Sequence, residues 1–141
     1  MRQPVTRTVI GLSGLMALAI GGSILFDPHT FFAHNGVALG DDPNLLSEIR
    51  APGGVLIAAG LIMIAGAAVR ALLRSALVTG AVVFGVYGVS RLVSLGIDGA
   101  PSSSLMTAMA IELLVAAYAV FALSRASARR CAKTKETANA C

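Results

Sequence analysis

Five charged residues lie in or beside strongly apolar sequence: Glu48, Arg50, Arg91, Asp98 and Glu112. Acids and bases in such surroundings can pair, hold a polar ligand or carry a proton. Each needs a partner, because an unpaired charge at mid-bilayer costs roughly 2.5–3.5 kcal/mol on insertion scales. Spacing says which of them can meet. Tyr87, Arg91, Ser94 and Asp98 follow at i, i+4, i+7 and i+11, which is one polar stripe along a helix. Arg91 is seven residues before Asp98, and Glu112 seven after Leu105. Each is therefore about 10 Å down its own helix. A short turn between these helices makes them antiparallel neighbours, and Arg91 and Glu112 are expected to face each other. Ala108, Ala116 and Ala119 share the Glu112 face and leave room for the partner. Glu48 and Arg50 point about 200° apart on a regular helix. They join the same cluster only if the backbone bends. Pro52 clashes with the carbonyl of residue 48 and predicts such a kink. Arg50 is then expected to pair with Asp98.

Two readings of this constellation compete. In one, the pairs only fix helix register. In the other, Glu48, Arg50, Tyr87, Arg91, Asp98 and Glu112 line an outward-facing cavity for a small polar or lipid-headgroup ligand. Arg50 and Arg91 would meet an anion there, and Glu112 would take up a proton. Three acids and two bases in one patch exceed what register needs, which favours the cavity. A third reading, a membrane enzyme using Glu112 or Asp98 as acid or base, lacks a nucleophile or metal to support it. No His falls in an apolar run, so a haem with paired axial His has no ligands. His29 and His34 are i, i+5, poor geometry for a shared metal. No phosphate-binding glycine loop occurs. Neither a cofactor nor a metal is expected. Ser102-Ser103-Ser104 reads as turn and helix cap.

The elements that must position these residues are legible in the composition. The chain has 141 residues, mean hydropathy +0.80 and only 13% charged residues. A soluble domain carries about 25%. The deficit is concentrated in four runs, residues 8–26, 51–69, 75–97 and 105–124. Each approaches the ~20 residues that cross ~30 Å of hydrocarbon. The runs are continuous, without the alternation of barrel strands, so they are helices. The intervening pieces are too short to fold alone. A soluble enzyme, a DNA-binding module and a disulfide scaffold are excluded. The expectation is all-α: an integral membrane four-helix up-down bundle over residues 1–124, with a basic tail at 125–141.

Charge orients the bundle. All Lys and Arg except Arg50 and Arg91 fall before the first run, between the second and third, or after the fourth. Asp27, Asp41, Asp42, Glu48 and Asp98 fall on the other side. Basic short loops stay cytoplasmic. Both termini are therefore expected inside a bacterial inner membrane, with residues 27–50 and 98–104 outside. The basic groups read as a topology signal, with contact to anionic lipid, and not as a nucleic-acid site. The first run holds no sharp polar break after Ala17-Leu18-Ala19, so it is read as a retained span and not a cleaved leader. Cys131 and Cys141 both sit in the tail, which excludes a thiol relay in the spans. They read as free cytosolic thiols.

Lipid gives helices no hydrophobic reason to associate, so close packing needs small residues. Ala17/Gly21, Gly54/Ala58 and Ala81/Gly85 supply them at four-residue spacing. In the long outer loop, Asp27-Pro28 is a start signal and Asn35-Gly36 a stop. They bracket a short interfacial helix carrying His29, Phe31, Phe32 and His34. Asp42-Pro43 repeats the start and extends the second span outward.

Glu48-Ile49-Arg50-Ala51, the following Gly53-Gly54, and Arg91…Asp98-Gly99-Ala100-Pro101 with Glu112 beyond resemble a bacterial family of small four-span membrane proteins. It is described only as domain of unknown function 4345. The resemblance covers roughly residues 8–124. It implies a four-helix membrane protein, distantly similar to DoxX-like membrane proteins, and supplies no reaction or substrate. The expected function is a non-enzymatic membrane protein that binds or helps move a small polar or lipid-headgroup ligand. Its expected partners are membrane lipid and, because four spans alone are thin, a homo-oligomer. The alternative is an accessory subunit of a larger membrane complex, with purely structural ion pairs.

Overall fold

A computed structural model describes residues 3–138, with side chains over residues 4–126. Five α-helices follow in order: α1 (Gln3–Phe26), α2 (Pro28–His34), α3 (Pro43–Ala68), α4 (Leu73–Ile97) and α5 (Ser103–Ala138), with a 3-10 turn Arg70–Leu72 before α4. Four of them are long and apolar enough to cross a membrane. No strand occurs among the described residues.

The helix ends follow local chemistry. α1 starts before residue 8 because Pro4 is tolerated in a first turn. The Asp27 carboxylate accepts from the Thr30 N–H and starts α2; Asn35 and Gly36, with φ +80°, stop it. Asp42 accepts from the Asn44 N–H at 2.8 Å and starts α3 at Pro43. α3 is helical throughout, with Pro52 inside it. Gly99, with φ +93°, turns the chain after α4. α5 does not stop at residue 124; good helix formers such as Ala, Arg and Lys carry it on to Ala138. The side chains of Cys131 and Cys141 lie outside the described residues.

α1 and α3 form the tightest pair. Gly14 faces Gly60, and Gly21 faces Gly53. A Cβ built on Gly21 would lie 2.6 Å from the Gly53 carbonyl oxygen, and one on Gly60 2.7 Å from that of Gly14. Only glycine lets these backbones approach so closely. The Gly54/Ala58 expectation is corrected here. Gly54 has nothing within 4 Å of its Cβ direction, and Ala58 is exposed. Packed helices repeat their contacts about every seven residues, so Gly53 and Gly60 take the inner face instead. Ala17 and Gly21 do face inward.

α3 joins α4 through Gly66 against Ala76 and Met63 against Gly80. α4 packs on α5, where Gly88 receives Leu113 and Gly85 meets Ala116. The ring closes weakly, because α5 touches α1 only narrowly. Thr6 and Tyr118 bridge that seam at the basic end, hydroxyl to hydroxyl at 3.3 Å. At the opposite end Ser104 donates to the Asn35 side-chain oxygen at 3.2 Å, tying α2 to α5. Phe31 and Phe32, in edge contact at 5.5 Å, rest against the core at the bundle mouth.

The bundle is packed unequally along its length. At the acidic end α1, α2 and α3 stay packed, with Ile24, Pro28 and Gly53 buried. No residue from 89 to 115 on α4, its turn and α5 is buried. The side chains of α4 and α5 are therefore less covered at that end than at the basic end.

Candidate functional site

The inward stripe of α4 runs Leu77, Gly80, Phe84 and Gly88, all buried. One more turn brings Arg91 onto the same face, at the point where burial ends. On α5 the buried Ala116, Ala119 and Ala122 are preceded by Glu112. Both charges thus sit where the buried stripes of α4 and α5 end.

They meet as the spacing requires. Arg91 Nε donates to both Glu112 oxygens, at 2.9 Å to Oε2 and 3.2 Å to Oε1. Glu112 is largely covered, with 14% of its side chain exposed, while Arg91 keeps 32%. The bond uses only Nε. Neither terminal guanidinium nitrogen of Arg91 has a hydrogen-bond partner among the described residues, so up to four N–H groups remain for a ligand. Tyr87 lies half-buried one turn below. One turn above, Ser94 donates to Asp98 Oδ2 at 2.8 Å, and both are exposed. Tyr87, Arg91, Ser94 and Asp98 do share a stripe, with Glu112 across from it.

Arg50 and Glu48 do not join it. The expected Arg50–Asp98 pair is not formed. Arg50 Nη1 instead donates to the Leu25 carbonyl at 2.8 Å, at the end of α1. The last carbonyls of a helix lack intrahelical donors and carry the negative end of its dipole, so a guanidinium satisfies them. Asp98, an exposed residue, is held by its own helix through Ser94. Glu48 is exposed and pairs with no base among the described residues.

Arg7 mirrors Arg50. Its Nε and Nη2 donate to the Ala67 and Ala68 carbonyls at 2.6 and 2.7 Å, at the end of α3. Each helix of the tight pair thus caps the other with an arginine. Sequence reasoning read Arg7 as a topology charge only. The signal was present: Arg7, Gly14 and Gly21 are spaced by seven, and face Ala67, Gly60 and Gly53, also spaced by seven.

A separate recess of about 250 Å³ lies beside α2, lined by Ser23, Asp27, Thr30, Phe31, His34 and Asn35. None of the six candidate residues borders it. His29 contacts Asp41 at 3.2 Å, and His34 Nδ1 donates to the Thr30 carbonyl. Among the described residues no three His, Cys, Asp or Glu side chains gather as a metal would need.

No curated protein and no solved structure matches the chain. The family model described as domain of unknown function (DUF4345) matches residues 5–123, nearly all of the four long helices. Four apolar helices over the matched length identify a multi-pass membrane protein, and the chain belongs to the DUF4345 family.

Proposed function

We propose that the protein is a non-enzymatic component of the bacterial inner membrane that binds, or helps move, a small polar or lipid-headgroup ligand at Arg91. The observation that carries this reading is the Arg91–Glu112 pair. It joins α4 to α5 where burial ends, with the outer edge of the guanidinium unoccupied by protein. A pair serving register alone has no need of a third of Arg91 being exposed. Tyr87, Ser94 and Asp98 supply the polar surroundings of the ligand. Arg50 is held away from the site by the Leu25 carbonyl, and Glu48 stands exposed on α3 apart from it.

The basic end, with Arg7, Arg70, Arg74 and Arg125, is placed in the cytoplasm by the positive-inside rule. Asp98 and the exposed edge of Arg91 then face the outer side. Most of the long helices' surface is left for lipid: only 22–33% of each span's apolar window is buried. Outward-facing Gly54 and Ala58 on α3 are the surface best suited to a second copy or a neighbouring membrane protein.

The test is ligand retention. The chain is purified in mild detergent and weighed by native mass spectrometry. Wild type is expected to carry a bound metabolite or lipid. Arg91→Met with Glu112→Gln removes both charges at similar size, and is expected to remain folded while losing about tenfold or more of that adduct, the loss of one good charge-assisted contact. Equal adduct on both proteins would leave the pair a structural role only.

A further inference from the structure

The site's charges come in a definite order along α4. Arg91 is deepest, paired to Glu112 through Nε alone. Ser94 follows, and Asp98 stands at the rim, about 10 Å further along the axis at 1.5 Å per residue. Asp98 Oδ2 takes the Ser94 hydroxyl, and its Oδ1 has no hydrogen-bond partner among the described residues. The Arg91–Glu112 pair is neutral as a unit, which leaves Asp98 as a surplus negative charge. A simple anion meeting Arg91 would be repelled by that carboxylate. A group that carries a negative charge deep and a positive charge at the rim would be attracted by both.

We infer that the ligand is a phosphate ester bearing an ammonium group, with its phosphate on the terminal nitrogens of Arg91 and its ammonium on Asp98. This rests on the ligand-binding reading above and narrows it to one charge pattern. An aminophospholipid such as phosphatidylethanolamine has this order built in. Its acyl chains lie in the bilayer, its phosphate lies at the interface, and its ammonium lies outermost. Arg91 and Asp98 are arranged in the same sequence from the bundle centre toward the helix end. Arginine suits the phosphate because its planar fork offers two parallel N–H groups. The α4–α5 hairpin stays unburied over this region, so a lipid can enter from the side.

The experiment compares phosphatidylethanolamine with phosphatidylglycerol, which keeps the phosphate and lacks the ammonium. The full chain is loaded with equal amounts of the two, with matched acyl chains, and retained lipid is read by native mass spectrometry. Wild type is expected to favour phosphatidylethanolamine by about threefold to tenfold. Asp98→Asn is expected to erase that preference while phosphatidylglycerol binding persists. Asp98 is exposed, so this variant folds whatever happens to the ligand. Soluble phosphoethanolamine added at equal concentration tells the source. Displacement of lipid assigns a soluble ligand of the same class, and no displacement assigns the lipid; both uphold the charge pattern. Equal or better retention of phosphatidylglycerol by wild type, or an unchanged preference in Asp98→Asn, overturns the zwitterionic assignment. If retention still depends on Arg91 in that case, the site itself stands. If neither lipid nor soluble headgroup is retained in an Arg91-dependent way, both the assignment and the site are lost.

Discussion

Arg91→Met alone is expected to destabilise the folded chain by about 2–3 kcal/mol, and the Arg91→Met, Glu112→Gln double variant by less than about 1 kcal/mol. The asymmetry follows from what each change leaves behind. Removing the guanidinium strands a carboxylate that is only 14% exposed. Breaking a fully buried pair costs about 3–5 kcal/mol, because the remaining charge keeps its desolvation penalty and loses its partner. Here the cost is lower, since Glu112 is not fully buried and keeps 14% of its side chain exposed. Neutralising both partners removes the penalty with the attraction. Reversible unfolding in a mixed detergent series checks this. Additive losses in the single and double variants would show that the two side chains do not act as a pair.

Arg7→Met is expected to cost about 2–3 kcal/mol, and Arg7→Lys roughly half of that. Arg7 makes two charge-assisted hydrogen bonds to the end of α3. Such bonds contribute about 1.5–3 kcal/mol each when well shielded, and less where exposed. Lys keeps the charge but cannot present two N–H groups in one plane. A topology role for Arg7 depends on charge alone, whereas capping depends on the fork. Unfolding midpoints and a reporter fused to the C-terminus separate them: Lys is expected to preserve orientation while losing stability. An Arg7→Lys protein as stable as wild type would remove the capping role.

Much of this was readable in the residues. Continuous apolar runs, Asp-Pro starts and an Asn-Gly stop are local signals, and α2 and α3 begin where Asp27 and Asp42 place them. Arg91 and Glu112 were found by helix arithmetic because the turn between α4 and α5 is short and their register has little freedom. Arg50 was misplaced for the opposite reason. It follows a long loop, and nothing local says whether it reaches α4 or the end of α1. The α1–α3 contact was likewise misjudged at Gly54. A four-residue spacing of small side chains marks a face, but the partner chooses the face. Only the matching sevenfold spacing on both helices, ending in Arg7 opposite Ala67, identifies it.

The position of the charged stripe can be measured directly in intact cells. With Cys131 and Cys141 replaced by Ser, one cysteine is introduced at Ser94, on the stripe, or at Val93, one residue away on the outer surface of α4. A membrane-impermeant maleimide is added from outside. Ser94→Cys is expected to react, because it is exposed on the stripe of the proposed site above Arg91, and Val93→Cys to stay unmodified among acyl chains. Modification of position 93 with position 94 protected would turn the stripe toward lipid and contradict an outward-facing site.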